Sequence, residues 1–119
     1  MTSLKQQVRE ALAGVCDRVF YQYPASFGEI PCAAWRESGN REYARADGGE
    51  YLAEVVYTVD LFGASTGEMD QIARRVDAAL SAIGLSREYA AELYEAGNRL
   101  HHRVLRYRGV TDGAGRVYQ

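Results

Sequence analysis

The sequence predicts an α+β fold, a mainly antiparallel sheet of about four to five strands with two helices packed on one face. Three observations lead there. In residues 51–62, Val55, Tyr57, Val59 and Leu61 alternate with Glu54, Val56, Thr58, Asp60 and Phe62, the period of a strand with one buried and one half-polar face. Next, Met69, Ile72, Ala73, Val76, Ala79, Leu80 and Ile83 recur at steps of three and four, one apolar stripe on a helix of about four turns. On both sides of this pair, β-branched and aromatic runs are separated by Gly, Pro, Asn and Asp, the punctuation of further strands.

Each element follows in order. Leu4, Val8, Ala11, Leu12 and Val15 fall at helical spacing, with Ser3 as cap and Gly14 as terminator, so residues 3–13 read as a short amphipathic helix. Residues 15–23 are rich in β-branched and aromatic types and stop at Pro24, which predicts a first strand. A loop over 25–29 leads into a second strand over 30–37, with Pro31 near its start, where a missing donor is tolerated. Residues 38–50 hold the densest turn formers and charge and read as an exposed hairpin or flexible loop. The long strand over 51–62 is expected to be central. Ser65 and Glu68 fit a capping box before the main helix, with Thr66 as an alternative cap, and Gly84 suits its C′ position. Residues 86–96 contain good helix formers, yet Leu85, Arg87, Tyr89, Ala91 and Leu93 also line one strand face. The turn-like residues 95–98 and the alternation over 100–110 favour a strand hairpin. Residues 116–118 remain as a short terminal strand or arm. One domain, 1–119, accounts for the length.

Composition narrows the function classes. Of 14 basic residues, thirteen are arginine and one is Lys5, and nine tyrosines outnumber three phenylalanines and one tryptophan. Arginine and tyrosine join an apolar body to a polar tip and are enriched at protein contact surfaces. A net charge of −2 argues against binding nucleic acid mainly by counterion release. No apolar run reaches the roughly 18–20 residues of a membrane span, and the polar amphipathic start is unlike a signal peptide. A soluble protein that is not secreted is expected. Cys16 and Cys32 form neither a disulfide framework nor a four-ligand metal cage; they read as reduced packing residues, and the competing bridge between the first two strands needs an oxidising compartment.

Candidate chemical motifs are sparse. His101 and His102 are adjacent, so on a strand they point to opposite faces and cannot share a metal ion. The run over 63–67 precedes a helix but lacks the lysine of a phosphate-binding loop, and capping explains it. Asp60, Asp70 and Asp77 are single carboxylates without a spaced partner. No catalytic, cofactor-binding or metal-binding residues are assigned, and no small-molecule substrate is expected. Arg103, Arg106 and Arg108 with Tyr107 form the one basic and aromatic concentration, compatible with a solvated strand face, an intersubunit contact or contact with nucleic acid.

The order of a short N-terminal helix, Val19-Phe20-Tyr21-Gln22-Tyr23-Pro24, Ile30-Pro31-Cys32-Ala33 and Tyr57-Thr58-Val59-Asp60-Leu61-Phe62 resembles the small tail-completion and tail-terminator proteins of long-tailed bacteriophages. The similarity continues through the helix over 68–83, the turn at Tyr94-Glu95 and the run Leu100-His101-His102-Arg103-Val104-Leu105-Arg106-Tyr107, nearly the whole chain. The resemblance implies a non-enzymatic virion protein that forms a ring, commonly a hexamer, at the head-proximal end of the tail. Its partners would be further copies of itself, the tail tube protein and the head connector or head-completion protein, with assembly in the host cytoplasm. Tyr43 and Arg45 in the mid-chain segment and Arg103, Arg106, Tyr107 and Arg108 on the late strand are the expected interface residues. The alternative is a small binding or regulatory module that touches nucleic acid through residues 103–108.

Overall fold

A computed structural model describes residues 2–23, 30–46, 49–97, 99–112, 114 and 116–118. The elements run α1 (Lys5–Leu12), β1 (Val19–Tyr21), β2 (Cys32–Ala46), β3 (Gly49–Gly63), α2 (Thr66–Ala82), β4 (Ser86–Glu95), β5 (Leu100–Thr111) and β6 (Val117–Tyr118). The fold is α+β with a six-stranded sheet in the order β1-β2-β3-β5-β4, and β6 pairs with the end of β5. All pairings are antiparallel except β1 with β2, which is parallel, so the sheet is mixed and has more strands than expected. β3 is central, as its alternation implied.

Val55, Tyr57, Val59 and Leu61 of β3 form one core with Leu4, Val8 and Leu12 of α1 and Met69, Ile72, Val76 and Leu80 of α2. Both helices therefore cover the same sheet face. An isolated helix of α1's length is unstable in water. Burial of Val8, Leu12 and the N-cap residue Leu4, each contributing about 1.5–3 kcal/mol, holds it in place. Its start differs slightly from expectation: Leu4 occupies the N-cap, and the Ser3 hydroxyl accepts from Lys5 N at 3.2 Å while donating to Glu37 Oε1. On the opposite sheet face Cys32, Phe62 and Leu100 make a smaller apolar cluster, with Phe20 and Ile30 packed against it.

The expected first strand shrinks to three residues. Val15 N–H donates to Leu12 O, so residues 15–18 form the bend out of α1, with Val15 in the core, before β1 reaches the sheet edge. The second strand runs on to Ala46. Residues 38–50 are thus the outer part of a long β2–β3 hairpin, and residues 47–48 lie outside the described residues. β5 pairs with β3 only as far as Ala53↔Thr111, which leaves residues 43–46 and 49–52 as a two-stranded arm. The arm lengthens the molecule to 53 × 22 × 21 Å and gives a radius of gyration of 15.2 Å, against about 13.5 Å for a compact chain of this size.

Ser65 caps α2, accepting from Glu68 N at 3.3 Å. At the other end Gly84 has φ +96°, Gly84 N donates to Ser81 O and Leu85 N donates to Leu80 O, the two bonds of a Schellman motif. Residues 86–96 are strand through Glu95, paired with β5 along the expected hairpin. No helix is long and apolar enough to cross a membrane among the described residues.

Candidate interaction surface

Alternation along β5 divides the late basic cluster between the two faces of the sheet. Leu105 and Tyr107 lie opposite Val59 and Tyr57 on the helix-covered face, as does Arg103 opposite Leu61. Arg106 and Arg108 lie opposite Thr58 and Val56 on the other face. Tyr107 is 1% exposed, and its hydroxyl donates to Asp77 Oδ1 at 3.0 Å. That burial corrects the expectation for Tyr107, because a core phenol offers no surface to a neighbouring subunit. Arg103, with its side chain 11% exposed, is clamped between Asp70 on α2, at 2.6 Å, and Glu92 on β4. It ties the helix to the edge of the sheet.

Of the remaining candidates, Tyr43, Arg45 and Arg108 are exposed and Arg106 is half-buried. The Arg106 guanidinium lies 4.8 Å from the ring centroid of Tyr89, a cation–π contact across β5 and β4. Arg108 pairs with Glu54 on β3, and Arg41 reaches the same carboxylate at 3.2 Å. The hydrogen bond from Arg108 is the main reason that the Glu54 carboxyl is held below the usual carboxylate range, and the reciprocal effect raises Arg108. Tyr43, 54% exposed on the arm, and Arg108 line one open groove of about 480 Å³ together with Leu52, Ser86, Val110 and Tyr118. Arg45 stands further along the arm and pairs with Glu42 at 3.3 Å. Tyr43 and Arg108 are therefore brought together, Arg106 shares Arg108's face, and Arg103 and Tyr107 are set apart.

Two features that the sequence placed on strands or read as isolated carry contacts or exposure it did not assign. The first is β4, whose Tyr89, Leu93 and Tyr94 are exposed on a strand that ends the sheet. The second is Asp60, which accepts from Arg36 at 2.7 Å and meets His102 Nε2 at 2.9 Å. His102 also stacks on Phe62, while His101 packs against Tyr94 on the opposite face. These contacts join residues far apart in sequence, so only the β-alternation hinted at them.

The site is built for contact more than for reaction. Burial pushes the Cys16 and Cys32 thiols up, away from the reactive thiolate form. Both cysteines are free. Among the described residues no buried side-chain N or O atom lacks a partner, and no three His, Cys, Asp or Glu residues gather as a metal site. Arg103 and Arg108 are neutralised by carboxylates, which weakens the case for a phosphate-binding strand.

Fold and surface define a small α+β structural subunit with a projecting arm and an exposed sheet edge. The chain belongs to the family described as Tail completion protein gp17, which it matches over residues 3–112. It is a structural protein of a bacteriophage tail, hence a virion component that works in contact with other tail components, and its family is generally non-enzymatic. No curated protein matches the chain.

Proposed function

We propose that this protein forms a ring, a hexamer of identical subunits, at the head-proximal end of the tail. There it ends growth of the tail tube and presents a surface to the head connector or head-completion protein. The observation that carries the reading is the pair of dissimilar unsatisfied surfaces on one subunit, the arm beyond Ala53 and the β4 edge. A closed ring requires such a heterologous contact, in which each copy offers one patch and receives another. Tyr43, Arg45, Arg106 and Arg108 are the residues proposed to meet neighbours, Arg103 supports the edge strand, and assembly takes place in the host cytoplasm. The nucleic-acid alternative gains no support, since two of its three arginines already face carboxylates.

The test is native mass measurement and electron microscopy of the purified protein with and without tail tubes. Six-membered rings, or six copies capping one tube end with elongation blocked, are expected. Tubes that keep elongating in the presence of the protein and carry no cap would overturn the reading.

A further inference from the structure

We infer that free subunits pair through β4: the edge strands of two copies meet antiparallel about a two-fold axis at Ala91, so that two sheets run on as one. This goes beyond the ring reading and concerns the subunit before it meets a tail.

β4 ends the sheet and, among the described residues, pairs only with β5. An edge strand presents a row of unpaired backbone donors and acceptors that another strand completes. The one register shift of β4, between Arg87 and Tyr89, leaves residues 89–95 regular. Tyr89, Ala91 and Leu93 lie opposite Arg106, Val104 and His102, so they stand on the sheet face away from the helices, with Tyr89 46% and Leu93 52% exposed. Ala90 and Glu92, opposite Leu105 and Arg103, stand on the helix side. There an open groove of about 290 Å³ runs beside β4, walled by Ala73 of α2 and Ala90. These short side chains leave room for a second sheet to come alongside.

The occupant is a second copy, because β4 is its own complement in one register. Residues directly opposite each other in a sheet share a face, so a symmetric pairing that keeps both helix layers on one side is centred on a residue and never between two. Centring on Ala90 sets Glu88 against Glu92, and centring on Glu92 sets that carboxylate against its own copy, like-charge pairs that destabilise a sheet. Centring on Leu93 leaves Tyr89 bare, and centring on Tyr89 runs into the register shift. Centring on Ala91 sets Tyr89 against Leu93 twice, with Ala91 facing Ala91 between them and Ala90 facing Glu92 on the other side. Cross-strand pairs of an aromatic with an apolar side chain stabilise such a contact, and nothing bulky parts the strands at the axis. The glutamates therefore select the register without having to pair across it. A two-fold contact closes at two copies. It also occupies the edge that the ring reading gives to a neighbouring subunit, so dimer and ring exclude each other and the dimer is a reserve form that the tail must open.

Measurements on the free protein, without tail tubes, test the pairing. Native mass and sedimentation of the wild type are expected to show monomers and dimers in a concentration-dependent balance. Amides of residues 89–93 are expected to exchange about tenfold slower in the dimer than in dilute monomer, with residues 37–46 unchanged. Tyr89→Glu and Leu93→Lys each set a charge against an apolar partner and are expected to leave monomers that melt near wild type. The variant combining them sets glutamate against lysine twice in this register alone and is expected to regain the dimer. Wild-type protein that stays monomeric at every soluble concentration, or forms rings without passing through a dimer, would overturn the inference. A dimer whose residues 89–93 exchange at monomer rates would do the same, as would folded single variants that dimerise like wild type. Since no tail tube takes part, each of these failures leaves the ring reading to its own test.

Discussion

Tyr57 donates its hydroxyl to Glu37 Oε1 at 2.8 Å across the β2–β3 pair and accepts the Leu4 N–H at 2.9 Å, so one phenol joins the centre of the sheet to the start of α1. Ser3 Oγ donates to the same carboxylate oxygen, and Asn40 Nδ2 donates to Thr2 O at 2.7 Å. The substitution Tyr57→Phe keeps the ring in the core and strands the Leu4 N–H. A loss of about 1–3 kcal/mol in chemical denaturation is expected, with faster amide exchange in α1. Unchanged α1 protection would show that apolar burial alone holds the helix.

Stability should fall in alkali. Burial is the main cause that raises the ionisation of both Tyr57 and Tyr107 above the ordinary 10.0, and Glu37 and Asp77 at the phenols add to it. Below about pH 10 folded and unfolded chains both hold these protons, so the contribution is fully present. Above it the unfolded chain gives them up first, and stability declines with a slope approaching about 1.4 kcal/mol per pH unit for each tyrosine. Urea midpoints measured from roughly pH 9 to 11.5 check this, and Tyr107→Phe should reduce the slope by about half.

Gly84→Ala should cost about 1–3 kcal/mol for two separable reasons. The residue sits at φ +96°, and an added Cβ would lie 2.8 Å from Val117 Cβ. Adding Val117→Gly, which removes the clashing Cβ, should recover the steric part and leave the backbone part, so a partial rescue in thermal melts is the expected result.

Arg106→Ala and Tyr107→Ala should behave differently although they are neighbours. Tyr107→Ala empties a core position and should cost about 3–5 kcal/mol of folding stability, which masks any effect on assembly. Arg106→Ala removes a half-buried cation over Tyr89 and should change folding by less than about 1 kcal/mol while weakening self-association in sedimentation at several concentrations.

The fold was most legible where one face is buried and the other wet. The alternation from Val55 to Leu61 and the stripe from Met69 to Leu80 marked the two elements that supply much of the core. Residues 86–96 were readable as a strand only through their turn and their partner, because helix propensity pointed the other way. The arm resembled a loop because a two-stranded ribbon without a third strand buries neither face and so carries no apolar period. The parallel pairing of β1 was invisible, since three residues hold no register information and Val15 owes its apolar character to the bend below α1. The same limit governed the surface. Alternation already placed Arg103 and Tyr107 opposite Arg106 and Arg108, but which face the helices would cover depends on contacts 30 or more residues apart, such as Tyr107 with Asp77.

The arm beyond Ala53 can change length without disturbing the core, because none of its described side chains belongs to the core. Side chains alternate with period two, so matched insertions of two residues on each strand preserve every orientation, whereas a single insertion inverts all that follow. Each such step adds about 6.8 Å of reach. Matched changes in the length of the two strands therefore act as a graduated ruler, setting how far the subunit reaches from an unchanged packed body.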